Sequence, residues 1–266
     1  MPFVETNGIN LYYEERGDPS ASPLLLIMVL LHLVRCGSLM LLLEKDFRCV
    51  LPDNRGVGYT DKPAGDYTTA QMADDCAGLL EALGIETIRV VGCSMGSTIA
   101  LQLAIRHPQK VQSMVLMCPW ARCDNTAKAI FQHIMTCKAR LRPEKFSLFI
   151  QLLIYSKGSW DDEKVAAELE EGRRQAAIDA QPQPLHGLEG QAAACISHNV
   201  LTKLPSITQP TLVIGGQEDI FTPAWIWRMK SLPHCDLYLY EKAGHVFHFE
   251  RLNDFNPRVR DWLLEN

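Results

Sequence analysis

The sequence predicts an α/β chain: a mostly parallel β-sheet with helices on both faces, interrupted by a wholly helical insertion. Three observations predict it. Short apolar runs of strand length alternate with segments of helical spacing. The alternation stops at Pro119 and resumes only after Leu204. A Gly-Cys-Ser-Met-Gly pentapeptide at 92–96 sits where a strand passes into a helix. The 266 residues divide accordingly into a first part of the core at 1–118, a helical cap at 119–204 and a second part of the core at 205–266.

Residues 3–6 and 10–15 read as strands around Asn7-Gly8, a pair that favours a tight hairpin turn. After Pro23 comes a buried strand at 24–28, then a short helix at 38–44. A second buried strand at 48–51 leads into a loop at 53–63 rich in Gly, Asp and Asn. Residues 69–83 are helical, with Met72, Cys76, Leu79, Leu80 and Leu83 on one face, and Gly84 ends the helix. A strand at 88–91, a helix at 95–106 and a strand at 111–117 complete the first part. The second part reads as strand 211–214, helix 224–232, strand 237–240 and helix 253–264.

Composition narrows the function classes. Apolar residues make up 47% and charged residues 21%, ordinary for a folded domain. The net charge is −5 and Lys and Arg are scattered, so no nucleic-acid partner is expected. Nine cysteines, an odd count without a CxxC pair, argue against a disulfide framework or a zinc site. They read as reduced thiols of a cytoplasmic protein. The first ten residues are polar and do not read as a signal peptide. The apolar run 27–43 is shorter than the ~20 residues a membrane-crossing helix needs, and it contains His32 and Arg35. It reads as buried strand and helix, with an exposed surface for dimerisation or lipid contact as the alternative. No membrane span is expected, and the chain is expected to be a monomer or a homodimer.

Gly92-Cys93-Ser94-Met95-Gly96 fits G-x-S-x-G, in which a serine on a sharp strand-to-helix turn projects its Oγ clear of the sheet. Cys93 is the rival nucleophile, but the turn would point it away from the site. A serine needs a base, and the base an orienting group. Asp219 follows the strand at 211–214 and His245 follows the strand at 237–240; both lie just past strand carboxyl ends, where sites form in open α/β sheets. Glu218 is the alternative acid and His248 the alternative base, the latter reading better as a packed or helix-capping residue. His107, His133, His186, His198 and His234 lack a strand-end position and read as surface or satisfied histidines.

Over nearly its whole length the chain resembles the α/β-hydrolase superfamily, and within it small esterases and 3-oxoadipate enol-lactonase-like enzymes. The resemblance is carried by Val4–Ile9, Pro23–Ile27, the segment from Asp53-Asn54-Arg55-Gly56 to Lys62-Pro63, the 92–96 pentapeptide, Gly215-Gly216-Gln217-Glu218-Asp219 and Ala243-Gly244-His245. It implies an eight-stranded-type sheet, a helical lid, a Ser94–Asp219–His245 triad, no metal and no organic cofactor. It also implies an oxyanion hole made by two backbone amides, those of Leu30 and Met95. The family's turn after its third strand contains Gly, whereas this chain reads Met28-Val29-Leu30-Leu31-His32 and reaches Gly only at Gly37. A lost oxyanion donor costs about 10²–10³ in rate, so an intact triad could still give weak activity. His32 reads as a loop histidine, with a polar substitute at the mouth of the site as the alternative.

The expected reaction is hydrolysis of a small-molecule ester or lactone through an acyl-enzyme on Ser94. The apolar segments 129–135 and 146–155 would line an acyl or alcohol pocket, and helix packing explains them equally well. A non-catalytic binder or engineered scaffold on the same fold is the alternative, motivated by the irregular 29–33 stretch. A peroxidase-like or lyase side activity of the same triad is a third reading.

Overall fold

The computed structural model describes residues 2–28, 37–179, 182–222 and 226–266. Eight strands form one sheet: β1 (Phe3–Thr6), β2 (Ile9–Arg16), β3 (Pro23–Ile27), β4 (Arg48–Pro52), β5 (Ile88–Cys93), β6 (Val111–Met117), β7 (Thr211–Gly216) and β8 (Cys235–Tyr240). Their order is β1-β2-β4-β3-β5-β6-β7-β8. The β1–β2 and β2–β4 pairs are antiparallel and every other pair is parallel. The hairpin turn expected at Asn7-Gly8 forms, with both residues at positive φ, 46° and 75°.

Parallel strands covered on both faces become continuous apolar runs, and the pleat then sorts alternate residues between two layers. Leu25, Ile27, Val90 and Leu116 face one side. There they pack against α2 (Thr69–Ala82) and α3 (Met95–Arg106) through residues such as Met72, Leu80, Ile99 and Leu103. Leu24, Leu26, Val91 and Val115 face the other side, against Leu39 and Leu43 of α1 (Gly37–Leu43) and Phe255, Val259 and Leu263 of α10 (Leu252–Glu265). Helix α2 starts where Thr68 accepts from the Gln71 amide and ends at Gly84, whose φ is +66°. The Ile85 amide closes that end on the Leu80 carbonyl, the Schellman pattern that a Gly at this position allows.

Between β6 and β7 lie α4 (Asn125–Arg140), α5 (Pro143–Ile154), α6 (Lys157–Asp161), α7 (Glu163–Ala177) and α8 (Leu185–Ser197). Asp124, Ser156 and Asp162 cap α4, α6 and α7 with their side chains. The two ends of this insertion run side by side, joined by an Arg122–Asn199 bridge and by Val200 N donating to Ala121 O at 2.7 Å. Helix α8 rests on the 53–67 loop. Gln191 Nε2 donates to Arg55 O at 2.8 Å, Gln183 Nε2 to Gly56 O at 3.1 Å, and Tyr67 N to Gly190 O at 3.2 Å. Gly56 and Gly187 bring their backbones together where any Cβ would collide. The loop itself is fixed from beneath by Arg55, which makes a two-pronged ion pair with Asp75 of α2, both side chains 3% exposed.

One expected element differs. The helix at 224–232 is a 3-10 turn, Ile226–Ser231. Met229 in this turn and Leu232 just past it are buried, and their spacing of three fits either helix type. Among the described residues, no helix is long and apolar enough to cross a membrane.

Candidate active site

Ser94 sits on the turn between β5 and α3 with φ 54° and ψ −115°, a strained backbone for a residue with a side chain. The turn is closed by Ser94 N donating to Met117 O at 2.8 Å, and by Ser97 Oγ donating to Gly92 O at 2.7 Å. The two glycines of the pentapeptide are required by contact. A Cβ at Gly92 would lie 2.5 Å from Gly96 O, and one at Gly96 would run into the Ile27 carbonyl of the neighbouring strand. Cys93 is buried in the core layer facing α1 and α10, away from the serine.

His245 Nε2 lies 2.9 Å from Ser94 Oγ, and its Nδ1 lies 2.8 Å from Asp219 Oδ2. A carboxylate only accepts, so Nδ1 carries the proton and Nε2 is the acceptor for the serine hydroxyl. All three residues are nearly enclosed: Ser94 is 9% exposed, His245 7% and Asp219 1%. Asp219 is held by four donors. Its Oδ1 accepts from Phe221 N at 2.8 Å and Thr222 N at 3.3 Å, and its Oδ2 from Thr222 Oγ1 at 2.6 Å besides His245. Burial pushes its carboxyl up, but the adjacent His245 and these hydrogen bonds outweigh burial and hold it below the usual carboxylate range. Glu218, the alternative acid, is exposed on the same turn. His248, the alternative base, is packed in the short helix α9 (Phe247–Glu250) and neither of its ring nitrogens has a hydrogen-bond partner.

The His245 loop is held at three consecutive residues. Gly244 N donates to Glu250 Oε2 at 2.7 Å, Cys118 Sγ to His245 O at 2.9 Å, and Val246 N to Ile154 O at 3.2 Å. Cys118, Asp219 and His245 are close enough to share a metal ion, their ligand atoms lying within 4.8 Å of one another. Both ring nitrogens of His245 are already engaged by Asp219 and Ser94, so the cluster reads as a hydrogen-bonded network. None of the eight described cysteines is in a disulfide.

Met95 opens α3, so its amide is one of the first four of a helix, which have no intrahelical acceptor. That places it, one residue past Ser94, as the expected oxyanion donor. The Leu30 amide, His32 and the rest of the irregular 29–33 stretch lie outside the described residues. Sequence reasoning missed Thr222, Phe221 and Glu250. Phe221 places its ring 5.0 Å from the His245 ring and 6.0 Å from Phe131 of α4, which in turn lies 6.1 Å from Trp120. Of the other histidines, His107 contacts Asp74 at 2.8 Å. His198 is buried, with Nδ1 2.8 Å from Thr69 Oγ1, within the second of the two readings given for these histidines.

Comparison with known proteins agrees with this architecture. The family described as alpha/beta hydrolase fold matches residues 31–252. A Mycobacterium tuberculosis protein, BpoC, is 32% identical over 223 residues, covering 82% of this chain and 83% of its own; it is named for a non-heme bromoperoxidase, an assignment that its name leaves open. The 2-hydroxy-6-oxo-6-phenylhexa-2,4-dienoate hydrolase of Comamonas testosteroni is 29% identical over 234 residues, covering 84% of this chain and 79% of its own. The crystal structure of the enol-lactonase from Burkholderia xenovorans LB400 superposes with a TM-score of 0.87 at 23% identity, over 99% of this chain and 100% of that one. With its eight-stranded, mostly parallel sheet flanked by helices, this hydrolase belongs to the alpha/beta hydrolase fold family.

Proposed function

We propose that the protein is a serine hydrolase that cleaves carboxylic esters or lactones through an acyl-enzyme on Ser94. The observation that carries this reading is the single imidazole that joins Ser94 Oγ at 2.9 Å to the Asp219 carboxylate at 2.8 Å. Ser94 Oγ attacks the substrate carbonyl while His245 Nε2 takes its proton. Asp219 keeps the ring in the tautomer that can accept, and stabilises the imidazolium that results. The Met95 amide, with Leu30 as the expected second donor, receives the oxyanion. The imidazolium then protonates the leaving alcohol, and water releases the acyl group by the reverse sequence.

The insertion acts in this reading as a lid over the serine. Its support is the aromatic row from His245 through Phe221 to Phe131, which joins the base to a helix of the insertion. The row gives the site an apolar wall suited to an acyl or alcohol group with little charge. The two relatives are named for different reactions, so the bond cleaved is assigned by experiment. A panel of p-nitrophenyl esters and lactones should be turned over by the wild type and not by Ser94→Ala. A fluorophosphonate probe should attach to Ser94. Full turnover by folded Ser94→Ala, or a wild type that the probe leaves unlabelled, overturns the proposal.

A further inference from the structure

We infer that Glu250 is a positioning residue for His245, and that through it the helical insertion sets the reactivity of the site. The inference rests on the Ser94–His245 reading above. The Glu250 carboxylate divides its two oxygens between two parts of the chain. Oε2 accepts from Gly244 N at 2.7 Å, the amide next to His245. Oε1 accepts from Ser156 N at 2.8 Å and from Ser159 Oγ at 2.5 Å, at the start of α6 in the insertion. The two parts are in direct apposition. A Cβ at Gly244 would lie 2.5 Å from Ile154 O and 2.8 Å from Ser156 N. Only glycine lets the base's loop pass this close under the insertion, and Glu250 supplies the acceptor that both backbones face.

Packing alone does not fix this junction. On its other side a cavity of about 230 Å³ opens between α5, α7 and residues 249–252, lined among others by Ile154, Tyr155 and Glu250. Ile154 and Tyr155 therefore border a pocket on one flank, and the hydrogen bonds to Glu250, with Val246 N on Ile154 O, hold the 154–156 segment against Gly244. Neither Ser156 nor Ser159 touches the reacting atoms. Their effect on chemistry runs through Glu250, Gly244 and the aim of His245 Nε2 at Ser94 Oγ.

Glutamine at 250 has the right length but only one acceptor oxygen, so it must set an N–H group against a donor on one of the two sides. The test compares wild type, Glu250→Gln, Glu250→Ala and Ser159→Ala by three readouts on the folded protein. These are the rate constant for fluorophosphonate attachment to Ser94, the kcat and KM for an ester that the wild type turns over, and the thermal midpoint. Misplacement of a reacting group by about 1 Å costs on the order of 10²-fold in rate. Glu250→Gln and Glu250→Ala should lower the labelling rate and kcat by about 10–100-fold with KM little changed. Ser159→Ala, which keeps the Gly244 contact, should fall between them and wild type. A purely structural role would lower the thermal midpoint and leave the labelling rate of the folded molecules alone, and that result overturns the inference. If neither Glu250 variant folds, Ser159→Ala decides: an unchanged labelling rate overturns the coupling, and a reduced one supports it. A wild type that the probe does not label would instead refute the nucleophile, a separate outcome.

Discussion

His248 offers a perturbation whose size follows from its surroundings. It is 4% exposed, neither ring nitrogen has a partner, and it sits against the rings of Phe247, Phe249 and Phe255. Burial, helped by the nearby His245, holds its pKa down at about 3, against an ordinary 6.5. His198 is held at about 3 as well, by burial partly offset by the Trp120 backbone. In the unfolded chain both rings take up protons near pH 6.5, while the folded chain keeps them neutral until about pH 3. The unfolded state thus binds more protons across that window. The stability these residues carry is complete above pH 6.5 and drains as the pH falls toward 3, by about 1.4 kcal/mol per pH unit for each histidine. At pH 5 the loss is on the order of 2 kcal/mol per histidine. His248→Leu keeps a similar volume and removes the unpaired nitrogens. It should gain about 1–3 kcal/mol at pH 8 and roughly halve the part of the acid slope that comes from this pair. Urea unfolding of both proteins at pH 8, 6.5 and 5 reads the effect. The same variant should keep most of its ester turnover, because His245 is the proposed base. Parallel loss of stability in wild type and variant between pH 6.5 and 5 would refute the reasoning.

Other substitutions test other parts of the structure. Asp219→Asn should lower kcat by up to ~10⁴ in a folded protein, since it permits the wrong imidazole tautomer; steady-state kinetics beside a circular dichroism spectrum would show it. Gly172→Ala should stabilise α7 by about 0.5–1 kcal/mol, because its Cβ would meet Gln151 Nε2 at an ordinary 3.5 Å. Gly96→Ala should prevent folding to a soluble protein, its Cβ having no space beside the Ile27 carbonyl. Asp75→Asn leaves the Arg55 guanidinium buried against a neutral partner and should cost about 3–5 kcal/mol in denaturant unfolding.

Much of this architecture is legible in the chain because the sheet is buried on both faces. Runs such as Leu24-Leu25-Leu26-Ile27 leave little choice but an inner strand, and all eight strands lie where the sequence places them. The short helix type at 226–231 was not legible, since a span of six residues carries no period that separates 3-10 from α. The three residues proposed for chemistry stand out because each follows a strand end. Their supports do not, because they are defined by partners far along the chain or by turn geometry. Thr222 carried a signal in hindsight: a Thr three residues after an Asp in a turn is a common partner for that carboxylate's local hydrogen bonds. Asp75 carried another, as a charge on the apolar face of α2 that needed a cation to meet it. Glu250 carried none that points to both Gly244 and Ser156, since only the folded chain brings them together.

The order of strands in the sheet also has a temporal meaning for a chain made from its N-terminus. Ser94 is placed by β5 and β6, both of which precede the insertion, whereas Asp219 follows β7 and His245 follows β8. Strand β7 can dock on β6 only after the whole of α4 to α8 has been synthesised, and β8 can dock only on β7. The elbow can therefore form early as an inert turn, with its serine lacking both the proposed base and the proposed acid. On this reading reactivity arrives late, when β8 joins β7 at the edge of the sheet and α10 covers one of its faces. A ribosome-bound chain that ends before β8 carries a folded serine that no fluorophosphonate should find.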